Sequence, residues 1–434
     1  MAHRQPRQAR LVALHYRDFR LLWFGQLVST SGSMMQVAAI NWHIYQLIGN
    51  RSLALVFLGH TIRLNSGAIA LGGVGMARFI PIVIFALMGG VFADARDRRR
   101  LMMVTQSAMM LFSAVLAAAT LRGDVPLWLI YAVTALGAAA AAFDSPARQS
   151  LVPNLVPREH LANAISLNTL LWQIGTIAGP TLAGLLISWL SVGVVYAFNA
   201  ISFLAVLIAL ASMHYRGRAA SSRPLSKGSL LEGLRFVFSS RIILSTMFLD
   251  FFATFFSSAT TLAPIFATDI LHVGSRGYGL LLAAPAVGAV IAGMFLSIRD
   301  SIPHQGKVLL VAVSFYGLAT VLFGISRWFL LSLLFLAAVG AADTVSTVIR
   351  STLRQLITPD EVRGRMTSVN MVFVMGGPQL GEFESGLVAG GLGAPFAVVT
   401  GGLATILLTA WVAWTFPRLR RYEGETVQRL PATV

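Results

Sequence analysis

Apolar runs, each about as long as a bilayer is thick, alternate along this chain with short polar breaks that are mostly basic. At about 20 apolar residues per span, the pattern predicts twelve helices. They fall near 21 to 47, 69 to 93, 101 to 121, 126 to 143, 165 to 190, 193 to 213, 242 to 266, 277 to 298, 307 to 326, 328 to 349, 367 to 389 and 395 to 416. Polar residues recur at steps of three and four on a few of these helices: Gln26, Ser29, Ser33 and Gln36 on the first, Asp250, Thr254, Ser257 and Thr261 on the seventh, Asp343, Ser346, Thr347 and Arg350 on the tenth. Such spacing keeps each set on one face. The face is either wetted by a channel or pressed against another helix through hydrogen bonds.

Composition agrees with the span pattern. Hydrophobic residues make up 56% of the 434 and charged residues 12%, with a mean hydropathy of +0.74, which excludes a soluble core wrapped in a polar surface. The expected fold class is an all-α membrane protein with twelve transmembrane helices. The basic start, with Arg4, Arg7 and Arg10, runs into an apolar segment from Leu21 to Leu47. That segment is too long for a signal h-region and has no small-residue cleavage site, so the first helix is expected to be retained. With no cysteine there is no disulfide framework and no thiolate metal or redox site.

The net charge of +16 invites a nucleic-acid reading until the positions of the charges are considered. Of the 33 lysines and arginines, 27 fall at the termini or in breaks on one side of the spans, Arg350 and Arg354 among them. The six counted to the far side are Arg51, Arg63, Arg78, Arg122, Arg276 and Arg327. The positive-inside rule then places both termini in the cytoplasm. The charge is topological, and no nucleic-acid partner is expected.

Sliding the chain on itself by 202 residues gives nine ungapped identities between Arg148 and Gly184. They are Arg148/Arg350, Leu151/Leu353, Pro157/Pro359, Glu159/Glu361, Ser166/Ser368, Asn168/Asn370, Gly175/Gly377, Gly179/Gly381 and Gly184/Gly386. A repeat of half the chain implies two pseudo-symmetric six-helix bundles. The expected organisation is an N-terminal bundle over 1–214, a cytoplasmic linker over 215–241, a C-terminal bundle over 242–417 and a cytoplasmic tail over 418–434. Pairing Arg20 loosely with Arg241 gives an offset of 221 before the second helix, which points to about 18 extra residues between the first two helices. That surplus falls in Ser52 to Gly73. Its apolar run, Leu53 to Leu58, is too short to span and is expected to pack on the external face.

The stretch GGVFADARDRRRLMM, from Gly89 to Met103, sets Gly90, Asp94, Arg98 and Arg99 between two apolar spans. It resembles the loop between the second and third helices of the major facilitator superfamily, except that Asp97 stands where the family usually has glycine. The resemblance implies a cytoplasmic latch: Asp94 near the start of the eleventh helix, where a helix N-terminus favours a carboxylate, and Arg98 and Arg99 pairing across loops. Arg363 and Arg365, beside Asp360 and Glu361, form the candidate partner cluster. A topology signal held at the head groups is the plainer alternative, and both readings can hold.

On the fifth helix, Gly175, Gly179, Pro180 and Gly184 in GTIAGPTLAG permit close helix contact and a bend. They resemble the superfamily's antiporter signature, with Ala183 replacing one glycine; as a bare glycine pattern they are packing alone. The fourth helix lacks the arginine of the family's proton-linked motif.

An ionisable side chain inside a span costs ~2.5 to 3.5 kcal/mol on insertion scales, which makes each one a functional candidate. Asp250, Asp343, Glu382 and Glu384 stand out. The resemblance puts the first, fourth, seventh and tenth helices around a cavity, with Asp250 and Asp343 in its wall and Gln26 and Gln36 as further candidates. Asp250 lies about 12 Å and Asp343 about 10 Å from the cytoplasmic ends of their spans. A carboxyl there could exchange a proton or pair with a cationic substrate. Glu382 and Glu384, two residues apart, cannot share a face; one faces the cavity or a neighbouring helix, or forms an ion pair with an outer-side arginine such as Arg276 or Arg327. Asp144 and Arg148, four apart, are expected to pair locally.

FRLLWFGQLVS, ARFIPIVIFALMGGVFAD, PARQSLVPNLVP, DTVSTVIRSTLRQLITPDEVRGRM and QLGEFESG together resemble the enterobactin-exporter-like branch of the superfamily. The resemblance implies a monomeric transporter in a bacterial inner membrane that exports a small amphipathic molecule, siderophore or drug-like, with protons as the coupling ion and no cofactor or metal. An uptake permease or lysolipid flippase on the same fold, and a non-transporting sensor or scaffold, are the competing readings. An enzyme would need a nucleophile or metal cluster, and HExxH, GxSxG and GxxxxGK[ST] are all missing.

Overall fold

The computed structural model describes residues 11–49, 51–57, 60–95, 97–215, 235, 237–257, 259–298, 302–358 and 360–423. Twelve long helices run through them: α1 (Arg17–Ile48), α2 (Ser66–Ala95), α3 (Arg98–Arg122), α4 (Leu127–Leu151), α5 (Leu161–Trp189), α6 (Val192–Ser212), α7 (Arg241–Phe256), α8 (Gly274–Ser297), α9 (Gln305–Ile325), α10 (Phe329–Ile357), α11 (Asp360–Leu392) and α12 (Ala394–Thr415). Helical segments containing ten of them are long and apolar enough to cross a bilayer by composition alone. The other two, α1 and α11, carry the glutamine and serine stripe and the glutamates.

Local chemistry sets the helix ends. Asp97 caps α3, its carboxylate accepting from the amides of Arg99 at 3.0 Å and Arg100 at 3.2 Å, which gives this departure from the family pattern a structural job. Gly123, at φ 86°, closes the same helix. Ser191 caps α6. α7 stops as an α-helix at Phe256, where the run SSATT favours local side-chain hydrogen bonds over continued helix. A 3-10 turn (Ala259–Leu262), a short α-turn (Ala263–Ile265) and a π-turn (Phe266–Ile270) complete that span.

The surplus between α1 and α2 is a two-stranded antiparallel hairpin, β1 (Ser52–Phe57) with β2 (His60–Asn65). The all-α description therefore holds for the spans, with this small sheet added. Asn65 ends the hairpin and opens α2 by accepting from the amide of Ala68 at 3.1 Å.

By contacts the chain forms two compact units, Met1–His43 with Ile80–Pro224, and Ile44–Phe79 with Leu225–Val434. In the first, a core of Phe19, Leu22, Trp23, Leu151, Leu167 and Leu210 ties α1, α4, α5 and α6 together, and the Trp23 indole donates to the Leu167 carbonyl at 2.9 Å. In the second, Leu249, Leu309, Val313, Ile349, Leu353 and Val412 tie α7, α9, α10 and α12. Large apolar side chains such as Trp128, Leu330, Leu407 and Trp414 stay exposed, as expected of a surface solvated by lipid.

Close backbone approach relies on glycine. A Cβ on Gly288 would meet the Ala337 carbonyl oxygen at 1.8 Å, and one on Gly340 would meet that of Pro285 at 1.8 Å, so α8 and α10 are in direct contact. Gly175 packs on Thr30 and Gly179 on Met34, both on α1, with Pro180 and Gly184 buried in the same helix. Gly377, the repeat partner of Gly175, packs on Thr254 of α7.

Candidate functional site

The second unit holds a charged cluster built by α7, α10 and α11. Arg350, on the inward face of α10, has a side chain only 2% exposed and reaches Asp250 of α7, Nη1 to Oδ1 at 3.0 Å. Its Nη2 donates to Thr347 at 2.9 Å and to Asp343 at 3.5 Å. One helical turn further on, Arg354 meets the other oxygen of Asp250 at 3.7 Å and donates to Asn370 of α11 at 2.7 Å. Asp250 and Asp343 thus share one guanidinium.

The two acids differ in setting. The Asp250 side chain is 11% exposed and lies between two cations. That of Asp343 is 48% exposed and is held by one longer guanidinium contact and by the Thr347 hydroxyl. A carboxylate locked by two buried guanidiniums serves mainly as a counter-ion, whereas a half-exposed one facing a single guanidinium at longer range can exchange its partner. Arg350 and Arg354, counted among the loop cations, are members of this cluster. The signal for Arg350 was its two-turn spacing from Asp343 and its place in the repeat. The predicted hydroxyl stripe on α7 divides its bonds: Thr254 donates to the Asp250 carbonyl at 2.8 Å, and Ser257 bonds Thr405 of α12 at 2.9 Å.

Glu382 does pair with one of the arginines counted to the far side, though with neither Arg276 nor Arg327. Its partner is Arg78, which lies within α2 and not in a far-side loop, Nη1 to Oε1 at 3.6 Å. An arginine inside an apolar run is itself a sequence signal. Glu384 points elsewhere and accepts from Ser385 at 3.4 Å. In the same unit, Tyr45 at the end of α1 donates to Asp269.

In the first unit the candidates act as connectors. Gln26 accepts from Arg148 at 2.9 Å, and Gln36 accepts from Ser113 and Asn199, each at 2.7 Å, joining α1 to α3 and α6. Asp144 does not form the expected close pair with Arg148. It is buried and accepts from Thr105 at 2.9 Å and Gln106 at 3.0 Å on α3, while Arg148 reaches across to α1.

These contacts also correct the register of the repeat. Arg148 meets Gln26 as Arg350 meets Asp250, and Gly175 meets Thr30 as Gly377 meets Thr254. Both partner pairs are 224 apart in sequence, so the Arg20 to Arg241 pairing was three residues out of register. Measured against the 203-residue offset from Gly90 to Gly293, the surplus becomes 21 residues.

Within the latch, Arg98 donates to the Ser150 carbonyl near the end of α4 at 2.9 Å, and Arg99 to the Ala211 carbonyl near the end of α6 at 2.9 Å. Both neutralise helix C-termini. The side chains of Asp94, Arg363 and Arg365 lie outside the described residues.

A twelve-span chain with an internal repeat and intramembrane charge clusters defines a class of membrane transporter. The chain matches the family model for transmembrane secretion effectors over residues 9–432 and belongs to that family, within the major facilitator superfamily. Among curated relatives, it is 26% identical to the enterobactin exporter EntS of Citrobacter koseri over 352 residues, covering 80% of this chain and 82% of the relative. It is 28% identical to a staphyloferrin A transporter of Staphylococcus aureus over 266 residues, covering 60% and 64%. The solved structure of a bacterial homologue of the human lysosomal transporter Spinster shares its fold, with a TM-score of 0.67 at 14% identity over 97% of this chain and 100% of the other.

Proposed function

We propose that the chain is a secondary efflux transporter that exports a small amphipathic molecule, of the siderophore or drug-like class, across a bacterial cytoplasmic membrane. It works by alternating access and is driven by protons, as a monomer with both termini in the cytoplasm. The relatives named as siderophore transporters support the cargo class, and the positive-inside asymmetry supports the orientation. The observation that carries the reading is the unequal pair of acids on Arg350: Asp250 buried between two guanidiniums, Asp343 half-exposed and facing one. A proton or a cationic group of the cargo competes at Asp343, and Asp250 keeps Arg350 in place while it does so.

Replacing Asp250 and Asp343 separately by asparagine and following pH-gradient-driven efflux in proteoliposomes tests this. Loss of efflux in Asp343→Asn is expected. Full activity in both variants overturns the coupling role. Loading vesicles of each orientation separates efflux from uptake.

A further inference from the structure

The second unit has a second buried ion pair that the reading above does not use. α2 meets α11 backbone to backbone on the side of the β-hairpin. A Cβ on Gly72 would lie 2.9 Å from the Gly386 Cα, one on Gly75 would lie 2.3 Å from the Gln379 carbonyl oxygen, and one on Gly386 would lie 2.8 Å from the Ala68 carbonyl oxygen. The seam is thus one of direct backbone contact between the two helices. Arg78 and Glu382 close one end of it with a single contact of 3.6 Å.

The hydrogen bonding around that contact is incomplete. Arg78 Nη2 and Gln379 Oε1 are each shut off from solvent without a hydrogen-bond partner, and besides the Arg78 contact the Glu382 carboxylate has the Thr261 hydroxyl beside it. The charged and titratable side chains facing Glu382 are Arg78 from α2 and Tyr278, itself fully buried, from α8. A proton placed on the Glu382 carboxylate makes it a donor one turn from Gln379 Oε1, an acceptor that lacks one. The same proton removes the counter-ion of Arg78 and leaves a buried guanidinium uncompensated. That charge regains a partner only by moving toward water, and with it the N-terminal half of α2 moves off α11.

We infer that Glu382 is a proton-binding site whose protonation breaks its pair with Arg78 and releases the hairpin-side half of α2 from α11. Under the proposed orientation, on which this inference rests, that side is the outside, where the driving protons arrive.

Because the chain has no cysteine, spin labels can be placed at Arg51→Cys, beside the start of α2, and Leu392→Cys, at the end of α11. The distance between them is then measured in proteoliposomes across a pH series. In the otherwise unaltered protein the longer-distance population rises about tenfold as the pH falls. In Glu382→Gln it is high and independent of pH. In Arg78→Met the pH response is also lost, and this variant serves if Glu382→Gln does not fold.

A pH response retained in either variant overturns the inference. The efflux reading fails separately. If the pH response is retained in Glu382→Gln while Asp343→Asn has lost gradient-driven efflux, the α2–α11 latch falls and transport stands. A pH-insensitive Glu382→Gln together with no gradient-driven efflux by the unaltered protein leaves the latch and overturns transport.

Discussion

Arg350 is the residue on which the second half of the chain turns, and its two acids respond differently to neutralisation. Removing the charge of Asp250 leaves Arg350 and Arg354 facing each other in a buried space, and breaking such a pair costs about 3 to 5 kcal/mol. Asp250→Asn is therefore expected to lower the thermal unfolding temperature of the detergent-purified protein. Asp343→Asn, which loses one half-exposed contact at 3.5 Å, should melt close to the unaltered protein and show its defect in efflux. Equal melting of the two variants would remove the distinction between counter-ion and exchange site. The acids themselves were legible in the sequence because charge inside an apolar run is rare and costly. Of their arginine partners, Arg350 was legible on the same face as Asp343, whereas Arg354 satisfies the positive-inside pattern and so reads as a loop residue.

Among the elements, the glycines decide which helices touch. The sequence showed that Gly175, Gly179 and Gly184 permit close packing, and the repeat carried the same property to α11. It did not show the partners. Gly175 and Gly179 sit against α1, whereas Gly377 sits against α7 and Gly386 against α2, so one helix serves two neighbours. Where a carbonyl fills the place of the Cβ, no side chain can be added without displacing backbone. Gly340→Val, which would drive a side chain into the Pro285 carbonyl, is expected to reduce the folded yield in membranes and the melting temperature. Gly137, which has open space around its Cβ position, should tolerate Ala with little change in either measure. The hairpin between α1 and α2 illustrates the converse limit. Its run was recognised as too short to span, but six apolar residues do not distinguish a strand from a surface helical turn.

For the whole molecule, topology follows from charge and can be tested directly in the cysteine-free chain. A cysteine at Trp328, exposed between α9 and α10, should react with an impermeant maleimide on intact cells. One at Arg420, in the tail, should react only after permeabilisation. The reverse pattern would invert the orientation and with it the expected direction of transport. Contacts and covalent order divide the molecule differently: Ile44–Phe79 groups by packing with the second half of the chain, through seams such as Gly72 on Gly386.

Twelve spans, the half-chain repeat, the family and the intramembrane acids were all determined by the sequence alone, because apolar length, charge asymmetry and self-similarity are written in consecutive residues. Tertiary structure alone decided that Asp250 and Asp343 share Arg350, that Glu382 meets Arg78, that Arg98 and Arg99 cap helix ends, and that the repeat offset between the first and seventh helices is 224 residues. Each of these is a choice of partner among groups far apart in the chain. Such a choice depends on which desolvated charges and bare backbones are brought within bonding distance, and no local pattern encodes that.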